Sequence, residues 1–234
     1  MANNIFFQPF VGKDYASGGI FGKRIMILGE SHYCDEGCSD CGDCRLHGEC
    51  TGFTQGVIKD YLDESKERQD WMRTFVKFER SLVGKETDQT LRLMIWNSVV
   101  FFNYLQVAMG GPREAGTSAQ YRQAGDALFE VMDKYQPEYV IAWGKRLWSN
   151  MPGERWREGE DIVVDGYHVA TGCLLYTSDA ADEIEQTVCF YEVKRQAKDV
   201  VIGIVKEKAE HFFLTTGRFK KYNIEYKGLS MEDM

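Results

Sequence analysis

The sequence predicts an α/β protein, a three-layer α/β/α sandwich around a short, mostly parallel sheet. Three observations carry this. Short apolar runs, RIMILG at 24–29 and YVIAWG at 139–144, end abruptly in glycine, the pattern of strands buried on both faces. A third run, VVFFN at 99–103, ends in a polar residue instead. The stretches between these runs space their apolar residues as helices do, and strands alternating with helices build a layered fold around a parallel sheet. At 234 residues and 26.9 kDa the chain is long enough for one generous domain.

Taken in order, the strand at 24–29 breaks into the loop Gly29-Glu30-Ser31-His32-Tyr33. In open α/β sheets ligands bind outside the carboxyl ends of strands, so this loop is the first candidate site. Val57, Ile58, Tyr61 and Leu62 share one face of a helix, and Trp71, Phe75, Phe78 and Leu82 continue the pattern over a second. Ala124, Leu128, Val131, Met132 and Tyr135 mark a third helix, stopped by Pro137. After YVIAWG, Lys145-Arg146 opens a further helix; such a pair is either a solvated face or a phosphate contact. Ile162–Val164 and Tyr167–Thr171 flank Asp165-Gly166 as a hairpin or two short strands. Trp71, Phe75, Phe78, Trp96, Phe101 and Phe102 read as core aromatics rather than base-stacking surfaces.

Thirty-six acidic against 28 basic side chains give a formal charge of −8, so no bulk positive field draws nucleic acid; a local basic groove is still compatible with that balance. No run reaches the roughly 18 apolar residues of a membrane-spanning helix. The opening MANNIFFQPF has no basic stretch followed by a long apolar core, so the expectation is a cytoplasmic, monomeric protein with no membrane partner.

Five of the seven cysteines fall at Cys34, Cys38, Cys41, Cys44 and Cys50, spaced C-x3-C-x2-C-x2-C-x5-C with His47 inside the last interval. Two-residue spacing returns one thiolate toward the next, so the set suits a soft metal: zinc, or alternatively an iron–sulfur cluster. The competing readings are plain thiols or disulfides, the latter disfavoured in a reducing compartment. A metal here would staple a loop too poor in apolar residues to order itself, at the rim of the candidate crevice.

Several motifs in fixed order, PF-x-G-x-x-Y near the start, ILGESHY, WNSVVFFNYLQ followed by GPRE, and PEYVIAWGKRLW, resemble a family of uncharacterised bacterial proteins. That family is similar to the uracil-DNA glycosylase superfamily, a three-layer α/β/α sandwich, and the resemblance covers residues 5 to about 150. There the loop after the first strand activates water, with Gly-Glu-Ala-Pro-Gly in the iron–sulfur branch and Gly-Gln-Asp-Pro-Tyr-His in the classical one. Gly29 and Glu30 match the opening of the first, and Tyr33 matches the Tyr that blocks the thymine methyl in the second. Ser31 stands where the classical branch has its Asp and is no carboxylate base at neutral pH, so the resemblance leaves His32 or Glu30 to take that role, or water to react unassisted. Otherwise His32, as a loop histidine, is expected to face solvent. Asn103 matches the Asn that reads the uracil edge, an amide offering both a donor and an acceptor. The third motif, His-Pro-Ser, is due after a strand near His168–Thr171 and is absent.

Where that motif is due, Cys173–Glu183 reads CLLYTSDAADE and resembles the conceptual translation of a transposase-type sequencing adapter. The sequence therefore divides into a glycosylase-like domain at 1–172 with its Cys-rich loop at 34–50, an adapter-like artefact at 173–183, and a tail of separate origin at 184–234. A tail so joined is expected to pack weakly, leave Leu174, Leu175 and Tyr176 without a well-filled site, and let the sheet end early. The resemblance implies a protein that acts on or binds a nucleobase in DNA, impaired in this chain. The alternative is a non-catalytic, metal-stapled domain that binds nucleotides or nucleic acid.

Overall fold

A computed structural model of the chain describes residues 4–34 and 48–152 and, beyond them, the backbone of strands between 156 and 215. Its elements run β1 (Phe10–Val11), β2 (Ile25–Gly29), α1 (Phe53–Leu62), α2 (Met72–Val83), α3 (Gln89–Asn97), β3 (Val99–Asn103), α4 (Ser118–Tyr135), β4 (Tyr139–Ala142) and α5 (Lys145–Trp148). Then follow β5 (Trp156–Glu158), β6 (Ile162–Val164), β7 (Tyr167–Val169), β8 (Thr171–Leu174), β9 (Val188–Glu192), β10 (Val201–Lys206) and β11 (Glu210–Thr215).

Seven of these strands form one sheet in the order β1-β3-β2-β4-β9-β8-β5. Its centre is parallel: Ile25 to Gly29 lie opposite Val99 to Asn103, and Ile25 to Leu28 lie opposite Tyr139 to Ala142. The three predicted strands are therefore neighbours in one parallel sheet. The pairs β1–β3, β8–β9 and β5–β8 are antiparallel.

Strand alternation divides the core. Met26, Leu28, Val100, Phe102, Val140 and Ala142 pack with Ala124, Leu128, Val131 and Met132 of α4 and Leu147 of α5. Ile25, Ile27, Val99, Phe101, Tyr139 and Ile141 pack on the other face with side chains of α1, α2 and α3. Helices cover both faces of the central strands, which is why these read as unbroken apolar runs.

Local chemistry sets the helix ends. Thr117 caps α4 by accepting from the Gln120 amide, while the Gln120 side chain accepts from the Thr117 amide. Helix α4 closes on Gln136 at φ 48°, just before Pro137. Helix α2 closes on Gly84 at φ 66°, a left-handed position suited to glycine.

Helix α3 is absent from the sequence expectations, because LRLMIW runs directly into VVFF and blurs any periodicity; its start is marked by Asp88, which accepts from the Leu91 amide at 2.8 Å. A buried ionic knot binds α1, α2 and α3. Glu79, wholly buried, accepts from Tyr61 Oη (2.5 Å), Trp96 Nε1 (2.8 Å), Thr87 Oγ1 (2.7 Å) and Arg92 Nε (3.2 and 3.3 Å). Every acceptor site of that carboxylate is used, which is what makes its burial tolerable.

The sheet does not end at β4. Strand β9, from beyond the adapter-like string, lies parallel to β4, with Tyr139 opposite Cys189 and Ala142 opposite Glu192. The expected early end is thus corrected at the level of the backbone. The sequence VCFYE is apolar and rich in β-formers, and the edge of β4 offers unpaired backbone groups to such a strand. β6 and β7 pair antiparallel around Asp165-Gly166, as the hairpin reading expects. The side chains of Leu174, Leu175, Tyr176 and the tail lie outside the described residues.

Candidate nucleobase site

Chain β2 leaves its carboxyl end toward the face of α1–α3, whereas β3 leaves toward the face of α4 and β4 toward α5. Connections that part to opposite faces make the strand ends, here around Gly29 and Glu30, the place where such sheets bind ligands. Beyond the strands the two loops stay paired. Tyr104 N donates to Gly29 O, Leu105 N to Glu30 O, Met109 N to His32 O and Cys34 N to Met109 O, at 2.8–3.1 Å. The Gln106 side chain donates to Asn103 O and accepts from the amides of Phe6 and Phe7, fixing the N-terminal segment to the same place.

The structure brings His32 and Asn103 together. Asn103 Nδ2 lies 3.1 Å from His32 Nδ1 and 3.0 Å from Nε2, and Thr54 Oγ1 lies 2.8 Å from Nε2. All three residues are buried. Phe53 stacks on the imidazole at 4.4 Å between centroids, and Phe7 meets it edge-on at 5.0 Å. Burial lowers the His32 pKa to about 3, so the ring is neutral at physiological pH. The expectation of a solvent-facing His32 is therefore corrected: it is 5% exposed, walled in by aromatic rings on a loop that is paired rather than open. Gly29 is required beside Asn103, since a Cβ there would lie 2.1 Å from Asn103 Oδ1.

Glu30 forms a second cluster. Arg146 Nε and Nη2 reach its two carboxylate oxygens at 2.5 and 2.7 Å, and Tyr121 Oη donates to Oε1. Arg146 also donates to the carbonyls of Arg113 and Glu114, tying the segment after β3 to the start of α5. Burial, then the bond to Glu30, pushes the Tyr121 phenol up to about 12. Arg146 is the basic residue read in the sequence as a face or a phosphate contact; here it is paired with an acid on the candidate loop. Tyr121 carried no sequence signal beyond its place in α4.

Ser31 is partly buried, and Tyr33 is 38% exposed, bridging to Met109 at the rim. Cys34 and Cys50 are partly buried, while Cys38, Cys41, Cys44 and His47 lie outside the described residues. Among the described residues no three His, Cys, Asp or Glu side chains are grouped to hold a metal. Nor is any helix among them long and apolar enough to cross a membrane. Strand β9 is the fourth parallel strand, and the sequence after it, Val193-Lys194-Arg195-Gln196, contains no histidine to serve as the third motif. Neither a scan against protein-family models nor a search of curated proteins matches this chain.

Proposed function

We propose that the chain is a uracil-DNA glycosylase-like protein that acts on or binds a nucleobase in DNA, with base release impaired. The observation that carries this reading is the pairing of Gly29 with Asn103 at the carboxyl ends of adjacent parallel strands, where the Asn103 amide is held against the glycine backbone. A base flipped into the crevice would meet that amide edge-on, with Tyr33 exposed at the rim to limit its size. Cleavage of the glycosidic bond needs a base to activate water. Glu30 is the carboxylate of the loop, and both its oxygens are already engaged, by Arg146 and Tyr121.

That same pairing, with the burial of His32, favours a second reading: a non-catalytic domain that binds a nucleotide or nucleic acid. In either case Cys34, Cys38, Cys41, Cys44 and Cys50 would hold zinc, or alternatively an iron–sulfur cluster, on the strength of their spacing. The deciding experiment measures uracil release and uracil binding on single-stranded DNA, for this chain and for a repaired, adapter-free parent. Release by the parent, reduced in this chain, supports the first reading. Binding without release by either supports the second, and neither binding nor release refutes both.

A further inference from the structure

We infer that residues 110–115 form a lid on the candidate site, and that Arg146 is the positioning residue that clasps it shut, its guanidinium held in place by Glu30. The bearing on ligand entry rests on the nucleobase reading proposed above; the clasp itself does not.

The segment between β3 and α4 is fixed at both ends. At its start Met109 is hydrogen-bonded to His32 and Cys34 and bridges to Tyr33, the exposed residue at the rim. At its end a Cβ on Gly116 would come within 2.6 Å of Leu105 Cδ1, and Thr117 caps α4. Between these anchors Pro112, Arg113, Glu114 and Ala115 are exposed, and a Cβ on Gly111 would meet nothing. This stretch is held from outside by Arg146, whose Nη1 donates to the Arg113 carbonyl at 2.9 Å and whose Nη2 donates to the Glu114 carbonyl at 3.0 Å. Arg113 is bent there into the left-handed region, at φ 70°, a conformation that residues other than glycine adopt at a cost. Hydrogen bonds from another element thus hold the segment in a shape its own backbone disfavours.

Arg146 can do this because Glu30 fixes it. Its Nε and Nη2 engage the two carboxylate oxygens, and the planar fork then presents its remaining N–H groups to the two carbonyls. Tyr121 Oη, from the helix that follows the lid, donates to the same carboxylate. One guanidinium therefore joins the chain beyond β2, β3 and β4. The Arg146 side chain is 39% exposed and that of Glu30 17%, so water competes for the clasp as it does not for the buried Glu79 pair. When the clasp opens, the exposed stretch is free to swing on Gly110 and Gly111, away from the rim at Tyr33.

The test uses the full chain as purified, labelled for NMR. Backbone order parameters at 113–115 should be near the rigid value of about 0.85, and should fall below about 0.6 in Glu30→Gln and Arg146→Lys, with β2 and β3 unchanged. Lysine carries the charge but lacks the fork, so it should not rescue. Binding of a single-stranded oligonucleotide containing one uracil is then timed. In Glu30→Gln, where a neutral bond replaces a charge-assisted one, association and dissociation should both quicken about tenfold, leaving the dissociation constant nearly unchanged. A direct ligand contact by either residue would instead alter dissociation alone. Tyr121→Phe, which takes one bond from the carboxylate, should act in the same direction by less, and it decides if the other variants do not fold. Order parameters unchanged in a folded variant overturn the clasp. A loosened segment with both rates unchanged, or with dissociation alone altered, overturns the lid. A loosened segment in a chain that binds no uracil oligonucleotide upholds the clasp and refutes the nucleobase reading.

Discussion

Glu79 shows how a single buried charge can organise three helices. Its oxygens accept from Tyr61, Thr87, Arg92 and Trp96, and the Arg92 guanidinium also lies over the Tyr61 ring at 5.2 Å. Removing the acid strands a buried guanidinium, so Glu79→Ala is expected to cost about 3–5 kcal/mol, read from urea unfolding. A partly buried acid gives a pH-dependent effect. Burial of Glu138 opposes its ionisation, but donation from Lys23 Nζ and the Arg24 amide outweighs this and holds its pKa below the usual carboxylate range. The unfolded chain then binds the proton more readily. The stabilisation is therefore complete at neutral pH and fades as pH falls through that range. Glu138→Gln should flatten the acid limb of a stability–pH curve. Neither role was legible in the sequence, where Glu79 looks like any helix-surface acid. Nor was the Glu30 cluster, whose partners Arg146 and Tyr121 lie 116 and 91 residues away. By contrast Gly29, Glu30 and Asn103 were legible as a group, because each ends or follows a recognisable apolar strand.

The parallel strands β2, β3 and β4 were evident as elements because burial on both faces leaves an unbroken apolar run. Helices α1, α2 and α4 were evident because each buries one side only. Helix α3 was not, since its apolar residues merge with those of β3. Helix α4 carries the most complete end signal, the reciprocal cap of Thr117 and Gln120. Thr117→Ala should cost about 1 kcal/mol and raise amide exchange in the first turn of α4. At the other end of the parallel pair, Gly29→Ala drives a methyl group into Asn103 Oδ1. It should displace the Asn103 side chain, detectable as a shift of the His32 ring resonances, even where the strands stay paired.

For the whole molecule, the origin of 173–183 bears on every residue that follows it. Resequencing across codons 170–186 is expected to find the adapter bases in this gene's raw reads and a continuous parent gene without them. Reads that cross the interval without those bases would sink that expectation, and the pairing of β9 with β4 would then belong to a native sheet. Metal analysis of folded protein should find zinc or iron bound by at least four of the five clustered cysteines, and finding neither would remove the metal from the proposal.

The place of β2 in the sheet has a further use. It is flanked by β3 and β4, and the loop it feeds is hydrogen-bonded to the segment after β3. Opening that loop therefore disturbs the innermost strands, which in most proteins separate only on global unfolding. A small molecule seated there acts on the whole cooperative transition by mass action, adding about 2.7 kcal/mol at a hundred times its dissociation constant. Free bases and nucleosides can accordingly be ranked by the rise in melting temperature they produce.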